Sequence, residues 1–284
     1  RICGSILAVV VREQHGLLRK LTARTIVYGG PLISEGTRFE REMCLTALLE
    51  ALHQHTSGRS LYTHFRNHYD LSPYHHLFKN LGYASHDRLN LIVGTDSEEA
   101  AWKGISQSRQ RQIRKSLKND ARIIANPTPA QIDDFYLILK DLYRGRIRKP
   151  LPSRAFFSVL SEPSHGVVLL VSYQNQIIGG IACPLLPAVA MYEWYVCGLD
   201  REFKSRHIYP SALATWAGIR YAAQNGIPRF DFMGLGKPEE KYGVRDFKAR
   251  FGGQWVNHGR FSRVNKPLWY FFVELAYNAY RLLK

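Results

Sequence analysis

The feature that most constrains this chain is a series of strand-like segments around one helix within residues 167–233. Three segments have the apolar content and length of strands: Val167 to Tyr173, Ile177 to Pro184 and Val189 to Gly198. Tyr209 to Gln224 is helical in pattern and ends at Asn225-Gly226, which suit the left-handed conformation of a helix end. Arg229 to Met233 then returns as a strand. This order predicts an antiparallel meander, with a ligand site where strands splay and a helix begins.

A proline-containing break indicates where the chain divides into lobes. With 284 residues and 45% hydrophobic content, the chain can bury a core sufficient for one large domain or two ordinary ones. The segment Asn126 to Pro129 contains two prolines and interrupts any regular element. We therefore predict a first lobe over residues 1–125 and a second over residues 126–284. Since an apolar run from Ile6 to Val11 follows Arg1 almost at once, we expect the first lobe to be incomplete at its N-terminus.

The chain is strongly basic, and its cations are concentrated in one segment. The formal net charge of +16 favours polyanionic partners such as tRNA, nucleotide diphosphates or anionic lipid head groups. Lys103 to Lys118 contains six basic residues, no acid and an apolar stripe, which predicts a cationic amphipathic helix. Five of these cations are candidate tRNA-binding residues: Arg109, Arg111, Arg114, Lys115 and Lys118. They would contact phosphates without reading bases; the alternative is a solvated helix face.

A two-part motif after the last strand carries most of the chemistry. Phe230 to Gly234 reads Phe-Asp-Phe-Met-Gly, and Gly243 to Gly253 contains Phe-Lys followed by Phe-Gly-Gly. The final glycine pair permits a tight hairpin turn or a close approach to a ligand. Lys248 could hold a phosphate or stabilise the oxyanion formed when an amine attacks an ester or thioester, or it could be a surface lysine. Asp231 could accept a proton from that amine, or cap the following loop.

Together these two pieces resemble the FemAB family of aminoacyl-tRNA-dependent peptidoglycan transferases. Members show an aromatic-Asp-aromatic-x-Gly strand end, a loop, Phe-Lys and a Phe-Gly-Gly turn, and both pieces occur here in order. The likeness extends from Ser97 to Phe261 and is strongest after Met191. It implies an α+β fold of tandem lobes like those of the GNAT acyltransferases, with mixed sheets flanked by helices. It also implies that Lys248 is the conserved lysine of the family, near the aminoacyl end of the tRNA.

The motif and the resemblance yield a set of candidate site residues. Lys248 and Asp231 are the catalytic candidates, with Glu193 and Asp246 as weaker candidates for a base. The predicted substrate contacts are Arg250, Phe251, Gly252, Gly253, Lys204 and Arg206. No metal site is predicted, because the four cysteines form no CxxC pair and the histidines near residue 64 lack an acidic signature.

One departure from the CoA-dependent acyltransferases concerns the acyl donor. Those enzymes follow the central strand with an Arg/Gln-x-x-Gly-x-Gly/Ala loop, whose amides cradle a pyrophosphate at a helix start. The corresponding segment here, Arg201 to Pro210, contains no glycine. We therefore expect aminoacyl-tRNA as the donor and no required cofactor, with acetyl-CoA belonging to an alternative.

These observations predict an acyltransferase that moves an amino acid from aminoacyl-tRNA to an amine of a nucleotide- or lipid-linked peptidoglycan precursor. Two alternatives stay open: an acyl-CoA-dependent N-acyltransferase, and a noncatalytic RNA- or membrane-binding protein on the same scaffold. No apolar stretch reaches the roughly 18–20 residues of a membrane span, so a cytoplasmic location is expected. The aromatic tail from Pro267 to Lys284 could lie peripherally at the inner membrane face, or pack on its own domain.

Overall fold

The computed structural model describes residues 2–12, 22–240 and 243–282. The strands are β1 (Gly4–Ser5), β2 (Ala8–Val11), β3 (Arg24–Gly29), β4 (Leu32–Ile33), β5 (Tyr62–Asn67), β6 (Ala84–His86), β7 (Asn90–Gly94), β8 (Arg122–Ile124), β9 (Gly166–Tyr173), β10 (Gln176–Leu186), β11 (Ala190–Tyr192), β12 (Tyr195–Gly198), β13 (Arg229–Asp231), β14 (Gln254–Val256) and β15 (Arg260–Val264). The helices are α1 (Arg38–Thr56), α2 (His75–Asn80), α3 (Glu98–Gly104), α4 (Gln107–Lys118), α5 (Pro129–Leu142), α6 (Arg154–Leu160), α7 (Asp200–Phe203), α8 (Pro210–Gln224), α9 (Gly243–Ala249) and α10 (Pro267–Leu282). They form two compact units, one of residues 1–89 and 257–284 and the other of residues 90–256.

The first unit contains a five-stranded mixed sheet in the order β2-β3-β5-β15-β6. β3 and β5 are parallel, whereas β15 is antiparallel to both β5 and β6. Alternation along β5 places Phe65 on the buried face, where its ring meets those of Phe78 and Tyr83 edge-on at 5.2 and 5.5 Å. Phe261 of β15 stacks on Phe78 with ring centroids 3.8 Å apart. A strand from the far end of the sequence therefore completes this core.

The second unit contains the predicted meander within a larger mixed sheet. Its strand order is β14-β7-β13-β11-β10-β9-β8, and β12 pairs with β10 beside this path. β10 pairs antiparallel with both β9 and β12, as the predicted meander requires. Ile132 and Phe135 of α5 and Phe157 of α6 pack in one core with Val168 and Leu170 of β9. Both units are mixed sheets with helices against them, so the predicted α+β class is confirmed.

The boundaries between the two units differ from the predicted boundary near residue 125. β7 belongs to the second unit because its Val93 pairs with Phe230 of β13. The segment after residue 256 belongs to the first unit because Ser262 of β15 pairs with His64 of β5. Neither unit corresponds to residues 1–125 or 126–284, since the sheet of the first unit takes strands from both ends of the chain.

The basic segment Lys103 to Lys118 is not a single helix, which corrects the prediction. α3 ends at Gly104, and α4 begins after Ser106, whose φ of −57° and ψ of 144° are not helical. The N–H of Ser106 donates to the carbonyl of Arg250 at 2.9 Å. The break is therefore held by a hydrogen bond to a distant part of the chain, which local sequence patterns do not report.

The C-terminal helix α10 has one packed side and one exposed side. Tyr270 meets Tyr62 of β5 edge-on, with ring centroids 6.0 Å apart. Other large apolar side chains of this helix are between 52% and 79% exposed: Leu268, Trp269, Phe271, Phe272 and Leu275. None of the helices in the described part of the chain is long and apolar enough to cross a membrane. The last two residues of the predicted tail, 283 and 284, lie outside the described residues.

We predict that Phe65→Ala lowers the free energy of unfolding by about 3–5 kcal/mol, because a fully buried ring is lost from the aromatic cluster of the first unit. Phe39→Ala is the matched control, since Phe39 is 70% exposed on α1, and it should change that free energy by less than about 0.5 kcal/mol. Urea denaturation followed by circular dichroism measures both. Equal effects of the two substitutions would contradict the described core.

Candidate active site

The central strand of the second unit divides at Glu193. Its first part, β11, pairs in parallel with β13, so that Tyr192 lies opposite Asp231. Its second part, β12, pairs with β10, so that Tyr195 lies opposite Ala182. The N–H of Glu193 still reaches the carbonyl of Asp231 at 2.9 Å. Beyond that bond the strand leaves β13, and this divergence is the splay that the sequence predicts for the ligand site.

A buried ion pair lies at this divergence. Glu193 is 4% exposed and Lys248 of α9 is 8% exposed. The Nζ of Lys248 lies 3.0 Å from Oε1 of Glu193 and donates to the carbonyl of Phe232 at 2.6 Å. Burial raises the pKa of Glu193, while the Lys248 ammonium and the hydroxyl of Thr215 act in the opposite direction. Since a buried charge is costly without its partner, each of these two groups depends on the other. Lys248 is therefore not the surface lysine of the alternative interpretation.

The carboxylate of Asp231 organises the loop that follows β13. Its Oδ1 accepts from Nδ2 of Asn90 at 2.7 Å and from the N–H of Met233 at 2.6 Å. Oδ1 of Asn90 in turn accepts from the N–H of Gly234 at 2.8 Å. Met233 has a φ of 59°, a left-handed conformation that is uncommon for a residue with a side chain. Asp231 thus caps the loop, as one of the two interpretations has it, and its role as a proton acceptor stays a prediction.

The two glycines of the Phe-Gly-Gly turn lie against backbone of neighbouring elements. Gly252 has a φ of 74°, and a Cβ on it would overlap the carbonyl oxygen of Gly104. Gly253 has a φ of 104°, and its Cβ would lie 2.6 Å from the carbonyl oxygen of Ile92. The sequence predicts a tight turn or a close approach to a ligand, whereas the atoms approached here are protein backbone at the end of α3 and in β7. A contact of these two glycines with substrate stays a prediction.

Arg109 is buried, which does not fit its predicted contact with tRNA phosphates. It is 5% exposed, and its guanidinium carbon lies 4.3 and 4.9 Å from the ring centroids of Phe247 and Phe251. It also donates to the carbonyl of Phe247 at 3.1 Å. Burial, reinforced by the charge of Arg250, lowers the pKa of Arg109 to about 10. Arg109 therefore fastens α4 to the Phe-Lys segment of the motif.

Phe251 is likewise a core residue and not the exposed substrate contact that the sequence predicts. Its side chain is fully buried, and its ring lies 5.9 Å from that of Phe232 and 5.5 Å from that of Phe247. Arg250 beside it is exposed, so its side chain remains available to a ligand. The alternation of exposed Arg250 and buried Phe251 follows from the turn that ends α9.

The remaining predicted tRNA-binding cations are exposed on α4: Arg111, Arg114, Lys115 and Lys118. The guanidinium of Arg114 lies 5.2 Å from the ring centroid of Trp102. Trp102 also meets Trp216 of α8 with ring centroids 4.8 Å apart. These two tryptophans line an open depression of about 570 Å³, together with Arg114, Arg220, Glu98 and Glu99.

The start of helix α8 is occupied by a carboxylate of the chain itself. Ser211 donates to Asp200 from both its N–H, at 3.4 Å, and its hydroxyl. Lys204 and Arg206, two predicted substrate contacts, lie exposed in the turn that precedes α8. The guanidinium of Arg206 lies 5.2 Å from the ring centroid of Tyr173. An anion placed at this helix start would meet the carboxylate of Asp200 directly.

Several site residues lie outside the two-part motif. Asn90 donates to Asp231, Thr215 influences the pKa of Glu193, and Asp200 fills the start of α8. The sequence does single out Glu193 as a candidate site residue, because it is an acid within an apolar strand segment. No comparable signal marks Asn90 or Thr215, because common polar residues next to a strand or within a helix are usually solvated.

Solved structures of several proteins have a similar fold. FemX matches with a TM-score of 0.69 at 12% identity, over 95% of this chain and 90% of its own. L-PGS from Bacillus licheniformis matches with a TM-score of 0.58 at 12% identity, over 93% of this chain and 82% of its own. A GCN5-related glucosamine N-acetyltransferase region of a fungal β-N-acetylglucosaminidase matches with a TM-score of 0.53 at 11% identity, over 92% of this chain and 31% of its own. At these identities the likeness shows the fold alone.

These structures show that the chain has the GNAT-like fold that the sequence predicts. Residues 188–278 match the model of the FemAB family. The matched range contains Glu193, Asp231, Lys248 and both glycines of the turn, so the predicted resemblance is confirmed where it was strongest. No curated protein sequence matches the chain.

We predict that Gly252→Ala destabilises the protein more than Gly226→Ala does, by about 1–3 kcal/mol in the free energy of unfolding. Both glycines have a positive φ, which costs an alanine about 1–2 kcal/mol at either position. Only at Gly252 would the added Cβ meet backbone, since nothing lies within 4 Å of one on Gly226. Thermal and urea denaturation of both variants measure the difference, and equal losses would contradict the described turn.

We predict that Lys248→Met produces a pH-dependent loss of stability of about 3–5 kcal/mol at neutral pH. Without Lys248, the pKa of Glu193 should rise further above its ordinary value, so the folded protein binds that proton more tightly than the unfolded chain. Stability is then retained at acidic pH and lost as the pH rises through the folded-state pKa.

The matched control for that prediction is Lys248→Met combined with Glu193→Gln. With the carboxylate removed, the extra pH dependence should disappear and part of the stability should return. Urea unfolding of both variants between about pH 5 and pH 8 separates the two cases. Parallel pH profiles would show that Glu193 is not the group that Lys248 compensates.

Proposed function

We propose that the protein transfers an amino acid from aminoacyl-tRNA to an amine of a peptidoglycan precursor peptide. The single observation that carries this proposal is the FemAB match over residues 188–278, within which Lys248 is buried at the split strand. The donor, the acceptor and the acyltransferase activity are all parts of the proposal.

Lys248 has a geometry suited to stabilising charge in the transition state. The Nζ of Lys248 donates one hydrogen bond to the carbonyl of Phe232 and lies within ion-pair distance of the carboxylate of Glu193. The side chain keeps 10% exposure, so a further N–H can meet a ligand at the surface of the site. An ammonium held in a site of low polarity acts on a developing oxyanion more strongly than it would in water.

The chemical step is a direct displacement at the ester carbon. The acceptor amine attacks the carbonyl carbon of the aminoacyl ester, and the carbonyl electrons move to oxygen to form the tetrahedral oxyanion. Collapse of this intermediate breaks the ester C–O bond, and the amine proton is transferred to the departing ribose oxygen. Asp231 is the candidate to relay that proton, since its Oδ1 is committed to Asn90 and Met233 while Oδ2 is not engaged by described residues.

The start of α8 supports tRNA over CoA as the donor. In a CoA-dependent enzyme, free amides at this position would bind the pyrophosphate. Here the N–H of Ser211 is bonded to the carboxylate of Asp200, whose negative charge would repel a pyrophosphate. The fold similarity to a glucosamine N-acetyltransferase region is the observation that keeps CoA-dependent transfer as the second candidate.

The exposed face of α4 is the proposed contact for the tRNA. Arg111, Lys115 and Lys118 could neutralise phosphates, with a corresponding dependence of affinity on salt. The neighbouring depression offers the partly exposed ring of Trp102, on which an unpaired base could stack. Backbone phosphates and single-stranded bases would thus be bound by adjacent surfaces.

We further propose that the protein works on the cytoplasmic side of the membrane and contacts it peripherally. The exposed apolar side of α10, with Trp269 and Phe272 more than half exposed, is suited to a membrane interface. Such a contact would bring the site to a lipid-linked precursor.

We predict that loss of Lys248 lowers aminoacyl transfer by about 10²–10³-fold. The variant to test is Lys248→Met with Glu193→Gln, because it removes the ammonium without leaving a buried carboxylate. Lys140→Ala is the control, since Lys140 is an exposed lysine of α5 outside the site, and it should leave the rate unchanged. Transfer is measured from radiolabelled aminoacyl-tRNA to nucleotide-linked and lipid-linked muropeptides, with acetyl-CoA as a parallel donor.

Circular dichroism of each variant establishes that it is folded before its rate is compared. Transfer from tRNA that falls in the double variant and persists in Lys140→Ala supports the proposal. Transfer from acetyl-CoA alone favours the second candidate. Binding of tRNA without transfer from either donor favours a noncatalytic protein.

A further inference from the structure

Three adjacent strands of the first unit place cations on one face of its sheet. His64 and Arg66 lie two residues apart on β5, on the side opposite the buried Phe65. Arg260 of β15 lies directly opposite His86 of β6, and Arg88 follows two residues further on. We call these five residues the arginine cluster. It contains three guanidinium groups and two imidazoles within neighbouring strand positions.

The arginine cluster has no counter-charge within residues 2–12, 22–240 and 243–282. Among the described residues, no carboxylate lies within ion-pair distance of Arg66, Arg88 or Arg260. The Nε atoms of Arg66 and Arg88 are shielded from solvent and have no hydrogen-bond partner in the described part of the chain. Arginine is usually paired when it is withdrawn from water, so unmatched donors of this kind call for an acceptor.

The residues of the cluster also affect one another's pKa, as their neighbouring positions in the sheet require. Burial, together with repulsion from Arg66 and Arg88, lowers the pKa of Arg260 to about 10. Burial likewise lowers the pKa of His64 to about 3, with added contributions from Arg260 and Arg66. His64 is thus neutral and able to accept or donate a hydrogen bond, beside guanidinium groups that stay charged.

Other contacts hold parts of the cluster in fixed orientations. The guanidinium carbon of Arg66 lies 5.1 Å from the ring centroid of Tyr28 on β3. Nε2 of His86 lies 2.6 Å from the hydroxyl of Ser262 on β15. Arg66, Arg88 and Arg260 all keep partial exposure, so the cluster is accessible to a small solute. Ordered, unpaired and accessible donors are the properties of a binding site, whereas a purely structural cluster would be neutralised within the protein.

We propose that the arginine cluster binds a phosphate or diphosphate group. Guanidinium groups present planar pairs of donors that match phosphate oxygens, and three of them together suit a compact anion with more than one negative charge. Such an anion would also relieve the repulsion among the three arginines. All five residues of the cluster belong to the first unit, whereas Glu193 and Lys248 belong to the second.

The shared chemistry of the ligand is a phosphate ester or anhydride, which could come from a soluble compound or from a lipid head group. Inorganic pyrophosphate is the probe for the soluble source, and vesicles containing phosphatidylglycerol are the probe for the lipid source. The full chain is titrated with each probe, by isothermal titration calorimetry for pyrophosphate and by vesicle sedimentation for the lipid.

We expect Arg66→Gln and Arg260→Gln each to weaken binding by about tenfold or more, since a charge-assisted hydrogen bond is lost. Arg59→Gln is the control, because Arg59 is an exposed arginine of the same unit and the substitution removes the same charge. Pyrophosphate should raise the Tm of the unsubstituted chain and of Arg59→Gln, but not that of the two cluster variants. This comparison also detects a variant that fails to fold.

The proposal is supported if a probe binds the unsubstituted chain and Arg59→Gln but not the two cluster variants. The probe that binds identifies whether the ligand is a soluble compound or a lipid head group. Absence of pyrophosphate binding together with vesicle binding that all variants share would overturn the proposal. Equal weakening in all three variants would also overturn it, since it would show a diffuse effect of net charge.

Discussion

The buried contact between Glu193 and Lys248 is the interaction on which the second unit depends most. It joins the point where the central strand divides to the short helix of the Phe-Lys motif, and through the carbonyl of Phe232 it reaches the loop after β13. Removing two charges from water is expensive, and a well-packed apolar pair would often be as stable. The pair is therefore better explained by what it does, which is to keep an ammonium group at the opening between the strands.

The contacts around the same elements explain which residue types occur in the two-part motif. The glycines of the turn are needed because the backbone at Gly104 and Ile92 lies where side chains would be. Arg109 is stacked on Phe247 and Phe251, so two aromatic residues and one cation of the sequence pattern serve to dock α4 against α9. The motif is thus largely a packing solution that positions one functional side chain, Lys248.

Sequence patterns predicted the elements whose formation depends on neighbours along the chain. The meander and α8 follow from apolar alternation and from the turn residues between them, and the structure confirms them. The break at Ser106, the burial of Arg109 and the bond between Asn90 and Asp231 were not predicted, because each depends on a residue more than one hundred positions away. The unit boundary failed for the same reason, since β15 returns to a sheet that begins near the other end of the chain.

The basic residues behind the net charge of +16 have different surroundings, and these surroundings determine what each can bind. Arg109 has exchanged water for aromatic faces and a carbonyl, so it no longer acts as a surface charge. The exposed cations of α4 keep their hydration and can neutralise the phosphates of a nucleic acid backbone, which then releases its counterions. The arginine cluster has lost part of its hydration without gaining a carboxylate from the described part of the chain, so an anion supplied from outside would lower its free energy. Arg109, the exposed cations of α4 and the arginine cluster therefore differ in how their charge is stabilised, although all are basic residues in the sequence. Of these three sets, only the arginine cluster requires a compact anionic ligand.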